Sequence, residues 1–288
     1  MCRCVNLYKY ISIDTIMNKN ILFTLWVDGE LDYHSKICIK SWIRLGYEVI
    51  VYKYEDIELE QEKYPLVVFK DAREFADKPP FQKPQEIADY FRFKKLLKDG
   101  GTWLDSDELL IKRLPDDDII ISSEHCKQTG THVPKNRTKT PNIGVLRFPP
   151  SHPLVAATVK KYDRSVTKIL KEGFEFNVNN NNNHLMKKFQ DIVLKSYRHL
   201  ISEPEVYCPI SWAYSKDMYE QPDLWIQPKF TKDPPHQKFG INQKQLQPIL
   251  NTAVGIHMWR NLYKHRGYCD RPIDGSVFDQ LCKMVENY

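Results

Sequence analysis

Two aspartates one residue apart, Asp105 and Asp107, close an apolar run, Thr102-Trp103-Leu104. In an extended chain residues two apart leave the same face, which would aim both carboxylates at one point. Such a pair repels itself unless a cation sits between its members. Hard divalent cations accept one or two carboxylates together with phosphate oxygens, so the spacing suits the holding of a metal–diphosphate. Another Asp-x-Asp, Asp116 to Asp118, follows Pro115 and reads as a solvated turn. Upstream, Asp89 and Arg92 stand three apart in a run of helical periodicity, so they share a face and can pair. Far downstream, His257 interrupts the apolar stretch Ala253 to Trp259. By itself, a lone strand histidine is more often a satisfied structural group than a ligand.

The elements that must position these groups show as periodicities. Ile87, Phe91 and the Leu96–Leu97 pair give residues 85–98 an apolar helical face, and Lys98 before Gly100-Gly101 marks its C-terminal stop. Thr102 to Leu104 has the β-branched and aromatic character of a short buried strand. Ile21 to Val27 reads as a first core strand, Tyr33 to Leu45 as a helix stopped by Gly46, and Tyr47 to Tyr52 as a second strand. A β–α–β opening of this kind suits a nucleotide-binding half. Residues 55–64 are acidic and read as a surface turn or short helix. Leu66 to Phe69 predicts a strand, Asp71 to Phe75 a helical turn, and the prolines of residues 78–84 a loop. Glu108 to Ile111 and Ile119 to Ser122 predict further strands, and residues 127–140 a polar loop. The asparagine run at 179–183 belongs on the exterior, because consecutive amides find no partners in an apolar setting.

The composite Ala88-Asp89-Tyr90-Phe91-Arg92 … Gly100-Gly101-Thr102-Trp103-Leu104-Asp105-Ser106-Asp107 resembles the sugar-binding "DXD" glycosyltransferases. That group includes fungal initiating α-mannosyltransferases, bacterial capsular-polysaccharide transferases and, more distantly, large clostridial glucosylating toxins. The resemblance extends over roughly residues 20–265 and is strongest at 86–113. It implies that Asp89 and Arg92 hold hydroxyls of the donor sugar, and that Asp105 binds ribose and the metal shell. It also implies that Asp107 and His257 hold the metal. Trp26, at the end of the first strand, matches an aromatic position that packs on the nucleotide base, although a plain core role suits an indole equally. Asn142, ahead of the strand Ile143 to Phe148, matches a substrate-contacting position, with capping of a loop as the alternative. His152-Pro153 matches the opening of the next helix, running to Leu170. The sequence departs from the family after Trp259: relatives continue with Ser-Trp, whereas Asn261-Leu262-Tyr263 stands here. Arg260, Lys264 and His265 leave a basic cluster suited to a diphosphate leaving group.

Length and composition bound the remaining possibilities. A chain of 288 residues can bury a full core, and 42% hydrophobic with 12% aromatic residues is a globular composition. The formal charge of +5 is interspersed without a Lys/Arg block, so a nucleic-acid surface is not indicated, while an anionic nucleotide-sugar would suit it. The seven cysteines are scattered without zinc spacing or a disulfide framework, which points to reduced thiols. No signal peptide or membrane span is evident, since the run Ile21 to Val27 is too short to cross a bilayer. The expectation is a soluble, cytoplasmic protein, in host cytoplasm if the Lys/Ile/Asn-rich composition reflects a giant virus. Met17 offers an alternative start, leaving residues 1–16 as an extension to a transferase domain over 17–288.

The resulting expectation is an α/β fold of GT-A type, with a mixed, mostly parallel sheet flanked by helices. The expected activity is metal-dependent transfer of a hexose from a nucleotide-sugar, UDP favoured over GDP, to a glycan, lipid or protein hydroxyl. Mn2+ or Mg2+ would be the cofactor, and the resemblance implies retention of configuration. No residue stands out as an enzymic nucleophile, which leaves a same-face return attack open. A glycoside hydrolase needs carboxylates on opposite sides of the scissile bond, which one strand face cannot supply. A non-catalytic nucleotide-sugar or carbohydrate-binding protein is the alternative.

Overall fold

The structure, a computed structural model, describes residues 17–55, 57–125, 139–172, 184–210, 212, 215–220, 243–261 and 271–286. Its sheet is built from β1 (Ile21–Leu25), β2 (Glu48–Lys53), β3 (Val68–Asp71), β4 (Gly101–Leu104), β6 (Ile120–His125) and β7 (Lys139–Phe148), in the order β3-β2-β1-β4-β7-β6. The pairs β3–β2, β2–β1 and β1–β4 are parallel, whereas β7 runs antiparallel to both β4 and β6. Only β7 therefore opposes the common direction. The expected α/β class with a mixed, mostly parallel sheet flanked by helices is what the chain adopts.

Strand alternation accounts for the layers. Along β1 and β2, Leu22, Val49 and Val51 face one apolar cluster while Phe23, Ile50 and Tyr52 face another. The first cluster is covered by α1 (Tyr33–Arg44), α7 (Ser215–Glu220), α8 (Gln243–Thr252) and α9 (Val277–Glu286). The second is covered by α3 (Pro84–Asp99), α4 (Pro153–Glu172) and α5 (His184–Ser196). Two further helices are short, α2 (Ile57–Lys63) and α6 (Pro204–Tyr207). Burial on both faces explains why the central strands are nearly continuous apolar runs. Asp32 caps α1 by accepting from the Ser35 amide at 3.0 Å, while α3 has Pro84 in its first turn and stops at Gly100 with φ 65°.

A second, two-stranded sheet pairs β5 (Glu108–Leu110) antiparallel with β8 (Gly255–His257), in the register Glu108↔His257 and Leu110↔Gly255. It is anchored on α1. The Trp42 indole donates to the Glu108 carbonyl at 2.7 Å, and the Leu110 amide donates to Ser41 Oγ at 3.0 Å.

Four local expectations differ from the structure. Asp105 to Asp107 is not extended: the Glu108 amide donates to the Asp105 carbonyl at 2.9 Å, closing a turn. The third strand starts at Val68, and Leu66 is 74% exposed in the turn ahead of it. β7 starts at Lys139, inside the stretch read as a polar loop, because Ser123 to His125 supply it with pairing partners. Pro141, which has no amide to donate, lies at the register shift in that pairing. The apolar run from Ala253 to Trp259 contributes only the three residues of β8 as strand, in the smaller sheet.

Cys38, Cys208 and Cys282 are buried free thiols. No helix of the described residues is long and apolar enough to cross a membrane. The readings made for residues 1–16, 127–138, 179–183, Lys264 and His265 lie outside the described residues.

Candidate metal and donor-sugar site

Two chain segments meet at the C-terminal edge of the parallel strands, where open α/β sheets place their ligand crevices. One leaves β4, whose end is held by β7: the Asp105 amide donates to the Gly144 carbonyl at 2.7 Å. The other is β8 and the residues after it. The Met258 amide donates to the Asp107 carbonyl at 2.8 Å, and the Arg260 amide donates to Asp107 Oδ2 at 3.0 Å. Between them Trp259 adopts φ 53°, a left-handed conformation uncommon for an aromatic residue. That turn swings the Arg260 amide back onto the acid. The Trp259 indole is held by the Ile210 carbonyl at 2.7 Å, and its ring meets that of His257 edge-on at 4.2 Å.

Asp105, Asp107 and His257 each present one ligand atom such that the three atoms lie within 4.8 Å of one another. His257 Nε2 is 3.7 Å from Asp107 Oδ2. The carboxylates converge through the turn, not through a shared strand face. Burial opposes a charge on His257, but Asp107, Glu108 and Asp105 outweigh it and raise the imidazole pKa. Two carboxylates and one imidazole form a donor set that fits a divalent first-row metal.

Asp89 and Arg92 form the i,i+3 pair expected of α3, at 2.9 Å. Arg92 goes further. It reaches Asp105 Oδ1 at 2.9 Å, donates to the Ile143 carbonyl, and lies 4.5 Å over the Trp103 ring. Asp105 Oδ1 also accepts from the Trp103 indole at 2.8 Å. Arg92 therefore ties α3 to the acid turn. Burial pushes the Asp89 carboxyl up to about 7, against the opposing pull of Arg92.

Trp26 is 7% exposed and packs in the cluster under α1, with its indole donating to the Gly29 carbonyl at 3.1 Å. The Arg260 guanidinium lies 4.7 Å over its ring and is paired with Asp32. Asn142 lies within β7, is buried, and accepts from the Gly144 amide through its Oδ1 at 2.6 Å. Gly144 permits a close approach here: a Cβ would stand 2.9 Å from Asn142 Oδ1 and 3.1 Å from His257 Nδ1, so those side chains would have to shift.

Two residues escaped sequence reasoning. Asp32 was not singled out, yet it caps α1 and pairs with Arg260. Glu108 read as the start of a strand, yet it is fully buried with Oε2 at 3.1 Å from His257 Nδ1. The one signal for Glu108 was an acid opening an apolar run directly after Asp107.

No protein-family model matches the sequence, and no curated protein matches it. Among solved structures the chain is similar to the PaToxG glycosyltransferase at 13% identity, over 62% of this chain and 70% of that one, with a TM-score of 0.43. It is similar to the apo-form glycosyltransferase GlyE of Streptococcus pneumoniae TIGR4 at 14% identity, over 64% of this chain and 45% of that one, with a TM-score of 0.36. It is also similar to the UDP-bound glycosyltransferase domain of the YGT toxin at 11% identity, over 91% of this chain and 81% of that one, again with a TM-score of 0.36.

Proposed function

We propose that this chain is a metal-dependent glycosyltransferase that moves a hexose from a nucleotide-sugar, a UDP-sugar in preference to a GDP-sugar, to an acceptor hydroxyl with retention. The observation that carries the reading is the meeting of Asp105, Asp107 and His257 at the strand ends, beside the Asp89–Arg92 pair. Asp105, Asp107 and His257 would hold Mn2+ or Mg2+. When bound, that cation supplies positive charge against the charge that builds on the diphosphate as the glycosidic bond breaks.

The remaining roles belong to side chains. Arg92, fixed by Asp105, Ile143 and Trp103, holds Asp89 in place to bond a donor-sugar hydroxyl. A carboxyl with a pKa near 7 can either accept or donate that bond close to neutrality. Arg260 supplies a guanidinium beside the acids, suited to the diphosphate oxygens once it leaves Asp32. Its departure would also free the Trp26 ring for a nucleotide base. Asn142, next to Gly144 on β7, would lie along the sugar side. The acceptor would return on the face the diphosphate leaves.

Titration of UDP and GDP in the presence and absence of Mn2+ tests this reading. The expected result is Mn2+-dependent binding of UDP, weakened about tenfold or more by Asp107→Asn. Negligible binding of both nucleotides would remove the proposal. Tight binding with no hydrolysis or transfer across a panel of nucleotide-sugars would favour a binding protein.

A further inference from the structure

Among the described residues Glu108 is the one fully buried carboxylate beside the acid cluster, and nothing in the donor set above employs it. It opens β5, directly opposite His257 of β8. Its Oε2 lies 3.1 Å from His257 Nδ1, whereas Oε1 finds no hydrogen-bond partner among the described residues. A buried carboxylate with an orphan oxygen destabilises a fold, and an apolar side chain at this strand position would avoid that cost. The backbone here is nonetheless fixed with care. The Trp42 indole holds the Glu108 carbonyl, Ser41 holds the next amide but one, and Gly255 leaves room for the carboxylate. A Cβ on Gly255 would sit 2.5 Å from Glu108 Oε1.

The imidazole is thus gripped on one side only. A carboxylate accepts, so the Nδ1 facing it carries the proton, and the remaining nitrogen, Nε2, faces Asp107. We propose that Glu108 is the positioning residue of the metal site, holding His257 in the tautomer and ring orientation that make Nε2 a nitrogen ligand. The inference rests on the metal-site reading given above. Its chemical consequence is selectivity: an imidazole donor suits first-row transition ions, whereas magnesium favours oxygen alone. Glu108 would therefore be what biases the site towards Mn2+ or Co2+ over Mg2+. Outer-shell carboxylates of this kind typically alter metal affinity by about ten- to a hundredfold when removed.

The experiment uses the metals alone, without nucleotide. Mn2+ and Mg2+ affinities are measured by titration, the Co2+ complex by its visible absorption, and folding by circular dichroism. Glu108→Leu removes the acceptor, Glu108→Gln keeps one, and Gly255→Ala displaces the carboxylate with a single methyl without deleting any polar group. The expected result is a loss of Mn2+ affinity of about ten- to a hundredfold in Glu108→Leu and Gly255→Ala, with little change for Mg2+. Their Co2+ spectra should move to that of His257→Ala, and Glu108→Gln should return most of the affinity and the spectrum. If Glu108→Leu does not fold, the Gly255→Ala and Glu108→Gln pair gives the same reading. Wild-type affinity and spectrum in both displaced variants would overturn the proposal, while Asp107→Asn still losing Mn2+ would leave the metal site standing. A wild-type chain that binds no divalent ion, or an Asp107→Asn variant that binds as well as wild type, would overturn both.

Discussion

Asp89 is the residue whose environment and proposed task can be separated by measurement. Paired with Arg92 at 2.9 Å, it has a carboxyl that burial raises from the usual 3.8 to about 7. A carboxyl whose folded pKa lies above its unfolded value binds its proton more tightly in the native state. Its stabilising contribution is complete below the unfolded value and is lost as pH rises through about 7. Thermal unfolding from pH 5 to pH 8 should therefore show a fall in Tm that is flatter in Asp89→Asn. An identical slope in the variant would mean that Asp89 stays ionised throughout. If Asp89 also positions the donor sugar, Asp89→Ala should lower turnover of the nucleotide-sugar by about ten- to a hundredfold while leaving nucleoside-diphosphate affinity within about twofold. Joint loss of both affinities and of stability would assign the pair to the scaffold.

At the scale of elements, the sheet strands and α3 could be read from the chain because their apolar positions repeat over enough residues to declare a period. Leu22, Val49 and Val51 against Phe23, Ile50 and Tyr52 show that alternation in the folded sheet. Both strands of the smaller sheet were also read as strands, but their pairing with each other was not legible. Three-residue strands carry no period, and the register that sets Glu108 against His257 depends on α1 beneath them. The turn at Asp105 to Glu108 was missed for a related reason: one amide–carbonyl bond decides it, and sequence spacing alone is compatible with extension. The anchoring by α1 is measurable. Trp42→Phe keeps most of the buried ring but removes the donor to the Glu108 carbonyl, and should cost about 1–3 kcal/mol in denaturant unfolding. A variant as stable as wild type would show that the bond contributes nothing to holding β5.

Across the whole molecule, the proposed ligands come from distant parts of the sequence that only the fold brings within 4.8 Å. The resemblance singled out His257, but only the packing of β8 on β5 puts it beside Asp107. A ligand bound there interacts with the native state and not with the unfolded chain, so it shifts the unfolding equilibrium by mass action. Mn2+ at a hundred times its Kd should add about 2.7 kcal/mol to stability in wild type and far less in Asp107→Asn. Equal stabilisation of both proteins would place the ion elsewhere.

The pairing of β5 with β8 also fixes an order of events during synthesis. Residues 108–110 leave the ribosome long before residues 255–257, and β8 is the strand with which they pair. At about 5–20 residues per second, the interval is on the order of ten seconds or more. Until then β5 has an unfilled edge, Glu108 has no imidazole opposite it, and the two aspartates lack His257 beside them. The parallel strands β1 to β4 need no such wait for their partners, since all of them lie within the first 104 residues. The sheet can therefore be in place while the proposed metal site is still unassembled, and a nascent chain stalled before residue 255 would carry the acidic turn without His257.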